Sequence, residues 1–333
     1  TCFSVFILPF TPFSSRTQAI REENEQECFD LHDFVKSYCA QKGIVTQFIA
    51  EKTTPIARQM CRVWWWLSLA IYTKAGYTPW VLKDIDNKSA FVGIGYAFAG
   101  QKESPRIVIG CSHVYNEKGE GLSFRLNQLE NPRLDKQDNP YMSKDDARRV
   151  GESIIQLFYE QKKQLPDRVV IHKRTRFVPD EIDGLLLGLH KIKKVDLLEI
   201  NIAPQVRFIA SDFDFLKKKF NKNYGYPIER GTVLKDGDLG AYLWIHGCVT
   251  LPFGKYYQGK RRIPAPIYIR RHYGSTDLVT ICEEILGLSK MDFNNMDLYS
   301  KMPCTLNTAQ KIAKIGSLLS HISNRSYDYR LFM

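Results

Sequence analysis

The spacing of apolar residues changes repeatedly along the first third of the chain, which predicts an alternation of strands and helices. Short apolar runs near residues 3–8 and 45–50 predict two strands. Longer stretches with helical spacing predict one helix that ends at Lys42-Gly43 and a second over residues 58–75. Together these segments predict a small βαβα unit.

The first predicted helix has two distinct faces. Four apolar residues recur at helical spacing and predict a buried stripe: Leu31, Phe34, Val35 and Tyr38. His32 and Lys36 lie four residues apart, so they share a neighbouring face. From that face both side chains can contact one ligand.

The next part of the chain is predicted to form successive strands, over residues 91–98, 106–114 and 121–126. A start resembling a capping box at residues 143–146 predicts a helix, and an apolar run at 168–172 predicts a further strand. Three strands, a helix and another strand match the order of RNase H-like folds. We therefore predict one domain over residues 1–88 and a second over 89–333.

The remainder of the chain alternates predicted strands with loops and ends in a helix over residues 307–322. The strands are predicted over 197–202, 241–250 and 266–270. In the last helix Lys311 and Lys314 lie three residues apart and therefore share one face.

Composition narrows the class of protein. Lys and Arg outnumber Asp and Glu by 47 to 36, and the formal charge of +11 favours a polyanionic partner such as nucleic acid. Eight scattered cysteines without a C-x-x-C pair indicate neither a zinc site nor a disulfide framework, and they predict a reducing cytoplasm. No apolar run reaches the roughly 20 residues that span a bilayer. The start at Thr1 lacks the features of a leader and predicts an upstream segment.

Several motifs, taken in order, resemble those of Argonaute proteins. At residues 68–80 a helix ends in Lys74 and is followed by glycine and a short loop, which resembles the junction of the MID and PIWI domains. Thr46-Gln47 follows a His-x-x-x-Lys helix, as in that family. Further family motifs follow in the same order, at 288–294, 302–305 and 309–314. The resemblance is to short prokaryotic Argonautes, and it implies an α/β fold with a Rossmann-like MID domain followed by an RNase H-like PIWI domain.

The resemblance implies a pocket for the 5′-phosphate of a guide, formed by His32, Lys36, Thr46, Gln47, Lys74, Lys311 and Lys314. A terminal phosphate carries up to two charges and three acceptor oxygens, so it needs several cationic or amide donors. The carboxylate of Met333 is also expected in the pocket, where it shares Mg²⁺ with the guide phosphates. Taken singly, these residues have ordinary alternatives, such as an exposed helix lysine or a surface histidine.

The same resemblance predicts that the nuclease chemistry is lost. Slicing members of the family hold two metal ions with carboxylates at three sheet positions, assisted by a mobile glutamate. Those positions fall in this sequence at Gly95, near Lys173-Arg174 and near Arg270-Arg271. We therefore expect no catalytic residues and no catalytic cofactor, and we expect contacts to a guide–target duplex from Arg174, Arg176, Arg270 and Arg271. Two alternatives stay open: an active nuclease with displaced carboxylates, and a scaffold that binds no guide.

The partners follow from the resemblance alone. It implies a guide RNA and a single-stranded target DNA, which the protein binds without cutting. It also implies an effector subunit with an APAZ-like region and a TIR or sirtuin-like domain, activated by oligomerisation of the complex on target binding. A nuclease effector is the alternative that the resemblance leaves open. The effector is therefore expected to deplete NAD or to degrade nucleic acid in defence against plasmids or phage in a prokaryotic cytoplasm.

Overall fold

The computed structural model describes residues 3–8, 31–50, 60–83, 88–99, 107–116, 118, 120–130, 132–208, 213–214, 219–220, 228–257, 263–293, 297–319 and 326–333. The helices are α1 (Leu31–Gln41), α2 (Met60–Lys74), α3 (Lys144–Lys162), α4 (Pro179–Gly188), α5 (Leu278–Leu288) and α6 (Cys304–Gly316), with a 3₁₀ helix at Tyr329–Leu331. The strands are β1 (Phe3–Leu8), β2 (Val45–Ala50), β3 (Ser89–Ala99), β4 (Ile107–Tyr115), β5 (Gly121–Gln128), β6 (Arg133–Leu134), β7 (Pro140–Tyr141), β8 (Arg168–Lys173), β9 (Lys194–Ile202), β10 (Phe213–Asp214), β11 (Lys219–Phe220), β12 (Val233–Asp236), β13 (Gly240–Leu243), β14 (Cys248–Leu251), β15 (Gly254–Tyr257), β16 (Ile267–Tyr273) and β17 (Tyr327–Asp328).

Nine of the described strands form one mixed sheet, in the order β12-β13-β16-β9-β8-β3-β4-β5-β17. Strands β9, β8 and β3 at its centre run parallel, and the flanking strands join them in antiparallel pairs. Strands β3, β4 and β5 form the predicted antiparallel meander, and β8 follows helix α3 as expected. The predicted α/β class is confirmed. Strands β1 and β2 pair in parallel outside this sheet, and the domain boundary near residue 89 stays a prediction.

Helices cover both faces of the sheet, because successive side chains of a strand point to opposite sides. Ala90, Val92 and Ile94 of β3 belong to a core shared with α3 and α4. Phe91 of the same strand belongs to the core shared with α5 and α6. Within the described part of the chain, no helix combines the length and the apolar character needed to cross a membrane.

Helix α1 is oriented differently from the prediction. Three of the four residues of its predicted buried stripe are exposed: Leu31, Phe34 and Tyr38. The buried face carries Asp33, Lys36 and Ser37 instead. This face lies towards β2, α6 and the 3₁₀ helix, where the polar groups find polar partners. The prediction was wrong because hydrophobic spacing says nothing about polar partners that come from distant parts of the chain.

Two glycines on β3 allow helix α6 to approach the sheet at backbone distance. A β-carbon added at Gly95 would lie 2.6 Å from the carbonyl carbon of Ala309 and 2.7 Å from the amide nitrogen of Gln310. A β-carbon at Gly93 would collide with the main-chain oxygen of Thr305. The colliding atoms belong to helix backbone, so they cannot move aside as a flexible side chain can. Helix α6 is therefore positioned by these glycines.

We expect Gly95→Ala to destabilise the protein by about 3 kcal/mol, because the added methyl group overpacks a rigid contact. Chemical denaturation measures the free energy of unfolding. Gly43→Ala is the control, since Gly43 has φ +71° and open space around its α-carbon, so that only backbone strain of about 1 kcal/mol is introduced. Equal losses for the two variants would contradict the close contact of α6.

Candidate functional site

Two buried lysines lie where α1 and α2 approach Met333. Lys36 of α1 donates to the main-chain oxygen of Met333. Lys74, the last residue of α2, donates to Oε1 of Gln47 at 2.5 Å, and Gln47 Nε2 donates to the carbonyl of Phe48 at 2.9 Å. The lysines are only 5% and 3% exposed. The structure thus brings together three of the predicted site residues and the predicted terminal group.

Burial makes the charged form of both lysines costly, because an ammonium group loses its hydration. Desolvation lowers the pKa of Lys36 to about 8, although the Asp33 carboxylate opposes this shift. Desolvation, and then the charge of Lys36, lowers the pKa of Lys74 to about 7. The hydrogen-bond partner of Lys74 is a neutral amide. An anion bound at this cluster would therefore stabilise the charged form of Lys74.

Asp33 connects this cluster to helix α6. Its Oδ2 accepts a hydrogen bond from Nζ of Lys314 at 2.6 Å, and its Oδ1 lies 2.9 Å from Nδ1 of His32. The hydrogen bond from His32, followed by that from Lys314, holds the pKa of the Asp33 carboxyl well below its usual range. The His32 ring also packs against Phe48, with 4.5 Å between ring centroids. Asp33 was not predicted from the sequence as a residue of the site, because an acidic residue is not expected in a site for anions.

Two further residues of the predicted pocket, Lys311 and Thr46, differ in the surroundings of their side chains. Lys311 of α6 lines a cavity together with Met333, and its charge contributes to lowering the pKa of Lys36. Thr46 is fully buried, and its hydroxyl has no hydrogen-bond partner within the described residues. Neighbouring side chains of a strand point to opposite faces, so Thr46 does not share the face that Gln47 presents to Lys74. The prediction that Thr46 lines the pocket therefore stays a prediction, and the Thr46 side chain does not join the Gln47–Lys74 contact.

The oxygens available for the predicted magnesium ion are few. Met333 and Asp292 line one cavity, and Mg²⁺ is commonly held by one or two carboxylates together with substrate phosphates and water. These residues would hold the ion, which would supply positive charge between the carboxylate of Met333 and the predicted guide phosphate. Lys36 donates a hydrogen bond to the main-chain oxygen of Met333, so its ammonium group supplies positive charge there without a metal ion. Within the described ranges, no group of three or more His, Cys, Asp or Glu side chains is arranged to hold a metal.

A second group of cations lies near the carboxyl end of β8 and on β16, two strands away in the sheet. Arg174, Arg176 and Arg270 are exposed. Lys173 and Arg270 both pair with Glu199 of β9, so Arg174 and Arg270 lie on the order of 10 Å apart across the sheet. Three of the four predicted duplex-binding residues are thus available to a ligand.

Arg271 differs from the other three arginines, because its guanidinium is engaged within the protein. It donates to the carbonyl of Asp238 at 3.1 Å and to the carbonyl of Thr276. These bonds connect the loops that contain Asp238 and Thr276 to β16. The prediction that Arg271 contacts a duplex is therefore corrected.

The sheet order also corrects the third of the expected metal-binding positions. Strand β16, which carries Arg270 and Arg271, is three strands away from β3 and hence about 14 Å from Gly95. Ligands of a two-metal centre cannot be so far apart, because the ions lie roughly 4 Å from each other. Gln310 of α6 lies beside Gly95 instead, and its Nε2 donates to the carbonyl of Tyr96 at 3.0 Å.

Lys173, at the second expected position, is part of a buried ion pair. Its Nζ lies 2.5 Å and 2.7 Å from the two carboxylate oxygens of Glu181, and both side chains are almost completely buried. Aromatic rings surround the ammonium: Tyr96, Tyr141 and Phe177. Glu181 also accepts from the backbone amides of Met142 and Val178. This pair joins α4 to β8, so Glu181 is not available as a metal ligand.

No protein-family model matches the chain. The sequence is 25% identical over 293 residues to the protein argonaute of Aquifex aeolicus (strain VF5), and the alignment covers 86% of this chain and 36% of that protein. The chain is therefore similar to an Argonaute over most of its own length, and it spans little more than a third of that relative.

Solved Argonaute structures share the fold. The Argonaute of Aquifex aeolicus matches 99% of this chain with 42% of its own, at a TM-score of 0.66 and 20% identity. The Argonaute of Clostridium butyricum, solved with a guide DNA and a 19-mer target DNA, matches the whole chain with 39% of its own, at a TM-score of 0.66 and 19% identity. The fold of this chain is thus that of part of an Argonaute.

The burial of Lys74 predicts a stability effect that depends on pH. At pH 6 the ammonium is charged in both the folded and the unfolded chain, so the folded state bears the full desolvation cost. As the pH rises from 7 towards 10.5, the folded state loses the proton first and the cost disappears. We expect Lys74→Met to stabilise the ligand-free protein at pH 6 by roughly 1–3 kcal/mol and by much less at pH 10.

Urea denaturation at the two pH values measures this difference. Lys83→Met is the matched control, because Lys83 is exposed and should show no such dependence. A stabilisation of Lys74→Met that is the same at both pH values would contradict desolvation of the ammonium as its cause.

Proposed function

We propose that this chain binds the 5′-phosphate of a guide nucleic acid at the Lys36–Lys74 cluster. The observation that carries the proposal is the state of Lys74, which is buried beside a second lysine and hydrogen-bonded to a neutral amide. Proteins seldom retain a buried charge without compensation. A ligand with two negative charges and three acceptor oxygens provides that compensation.

The surrounding residues favour a terminal phosphate at the end of a strand. Lys311 and Lys314 approach from α6, and the ring of His32 packs beside the cluster. Cations converge from three helices, α1, α2 and α6, as a compact dianion requires. The aromatic ring of His32 suits stacking on a terminal base.

We propose further that the guide pairs with a target strand, and that the duplex lies against Arg174, Arg176 and Arg270. These arginines are exposed near the carboxyl end of β8 and on β16, and they are suited to contacts with phosphates. Sequence recognition then comes from base pairing in the duplex, whereas the protein contacts its backbone. RNA as guide and DNA as target is our preferred pairing, by resemblance to short prokaryotic Argonautes.

We propose that the duplex is held without being cut. The supporting observations are Gly95 on β3 and Arg174 after β8, which stand where the resemblance to Argonautes leads us to expect carboxylates, and Gln310 of helix α6, which lies beside Gly95. A guanidinium at such a place repels divalent cations. The alternative, an active nuclease with displaced carboxylates, has less support because Glu181 is bound to Lys173 and Glu199 is bound to His272.

A protein that holds a duplex without cutting it needs a partner for any later reaction. We propose an effector subunit with an APAZ-like region and a TIR or sirtuin-like domain, which assembles on target binding and depletes NAD in defence against plasmids or phage. This part of the proposal rests on the resemblance to short Argonautes. Localisation in a prokaryotic cytoplasm belongs to the same proposal.

We expect Lys74→Ala to weaken binding of a 5′-phosphorylated oligonucleotide by about 10-fold to 100-fold, since a hydrogen bond to a charged group contributes roughly 1.5–3 kcal/mol. Binding of the same oligonucleotide with a 5′-hydroxyl should change by less than about threefold. Fluorescence anisotropy with both oligonucleotides measures the two affinities.

Lys83→Ala is the control for this experiment, because it removes an exposed lysine outside the cluster. Equal losses of affinity for the two oligonucleotides would reject the phosphate site. The same assay with EDTA tests the magnesium prediction. Because Lys36 already meets the oxygen of Met333, we expect chelation to reduce the preference for the phosphate by less than tenfold.

We also expect the purified chain to leave the target intact when it is given a 5′-phosphorylated guide, a complementary labelled target and Mg²⁺ or Mn²⁺. Denaturing gel electrophoresis detects products. Electrophoretic mobility under the same conditions checks that the target is bound. A cut at a fixed distance from the guide 5′ end would show that displaced carboxylates are active and would reject the inactive centre.

A further inference from the structure

Asp33 places a negative charge among cations that are proposed to bind a negatively charged ligand. Its carboxylate lies 2.6 Å from Nζ of Lys314 and 2.9 Å from Nδ1 of His32, and it is close enough to Lys36 to oppose the lowering of that lysine's pKa. The residue is only 7% exposed. A carboxylate at this place repels a phosphate unless it contributes something else to the site.

The geometry of Asp33 indicates what this contribution is. Lys314 has a side chain that is 65% exposed and is the last basic residue of α6, so its ammonium can take many positions in water. Bonding to Asp33 fixes the ammonium beside α1. The other carboxylate oxygen fixes the orientation of the His32 ring, which lies against Phe48. One side chain thus restrains two flexible groups that come from different helices.

We propose that Asp33 is a positioning residue of the phosphate site, which holds Lys314 and His32 in the arrangement that distinguishes a 5′-phosphate from a 5′-hydroxyl. This inference rests on the proposed function of the Lys36–Lys74 cluster. Asp33 itself does not contact the phosphate. It lowers the entropy cost of binding, because the two groups are ordered before the ligand arrives.

The contact has a further effect on the assembly of the fold. Lys314 belongs to α6, the helix that Gly93 and Gly95 admit to the surface of β3. Asp33 belongs to α1, next to β2. The Asp33–Lys314 pair therefore joins the part of the chain that carries the buried lysines to the helix that packs on the nine-stranded sheet.

Charge repulsion and positioning predict opposite results for one substitution. Asp33→Asn keeps the size of the side chain and an oxygen acceptor but removes its negative charge. If repulsion of the phosphate dominates, the variant binds a phosphorylated guide more tightly. If positioning dominates, Lys314 and His32 are released and the preference for the phosphate falls. We expect the preference to fall about tenfold, as for the loss of one charge-assisted hydrogen bond.

The experiment measures the affinity of the full chain for matched 5′-phosphorylated and 5′-hydroxyl oligonucleotides, and takes their ratio. A change that merely loosens the fold weakens both affinities alike and leaves this ratio unchanged. Asp167→Asn is the matched control, because Asp167 forms exposed ion pairs with Lys88 and Lys193 outside the site. Its ratio should equal that of the wild type.

Lys314→Met is a second variant for this test. It removes the contact between Asp33 and Lys314 at the lysine, which is the more exposed of the two side chains, so the fold should stay intact. If the two residues act as a pair, the double variant Asp33→Asn/Lys314→Met should lose little more than either single variant. If Asp33→Asn does not fold, a ratio for Lys314→Met that equals the wild type rejects the inference, because Asp33 would then hold a lysine that does not contribute to the preference for the phosphate.

The two proposals fail in different ways. A wild-type protein that binds both oligonucleotides equally rejects the phosphate site itself. A wild type that prefers the phosphate, together with an unchanged or increased ratio in Asp33→Asn, rejects only the role of Asp33.

Discussion

Backbone contact between helix α6 and strand β3 determines where the chemical groups of this protein can lie. The helix approaches so closely because residues 93 and 95 have no side chains. From that position it places Gln310 beside Gly95 and presents Lys311 and Lys314 towards α1. The same approach removes the space that a carboxylate at position 95 would need. One contact between backbones therefore restricts residue 95 to glycine and also brings the cations of α6 towards the lysine cluster.

The lysine cluster holds two buried amines whose desolvation the proposed phosphate would compensate. Lys36 and Lys74 are buried, and each lowers the stability of the ligand-free chain because burial removes the hydration that its ammonium form has in the unfolded chain. Hydrophobic residues of similar size would pack at less cost. The buried Lys173–Glu181 pair is a different case, because its two charges compensate each other and join α4 to β8. The contrast between these two sites separates a binding role from a structural one.

Sequence reasoning succeeded where local patterns suffice. The meander of β3, β4 and β5, the capped start of α3 and the strand at β8 follow from periodicity and capping, and the lysine–glutamine cluster follows from a resemblance in motif order. It failed where distant segments decide. The buried face of α1 depends on Lys314 and Met333, which lie nearly 300 residues away along the chain. The place of Gln310 beside Gly95 depends on the packing of α6 against β3, which no single motif contains. Asp33 gives no signal at all, because only its partners reveal its role.

The depressed basicity of Lys74 makes ligand recognition a reaction that also involves solvent protons. Near pH 8 the side chain is mostly neutral in the ligand-free protein, since its pKa is about 7. A bound dianion favours the ammonium form, so the complex takes a proton from the surrounding buffer as it forms. Affinity for the proposed guide phosphate is then expected to decline in alkaline solution even though the phosphate stays fully ionised there. The site is therefore linked to the acidity of its surroundings through one buried amine.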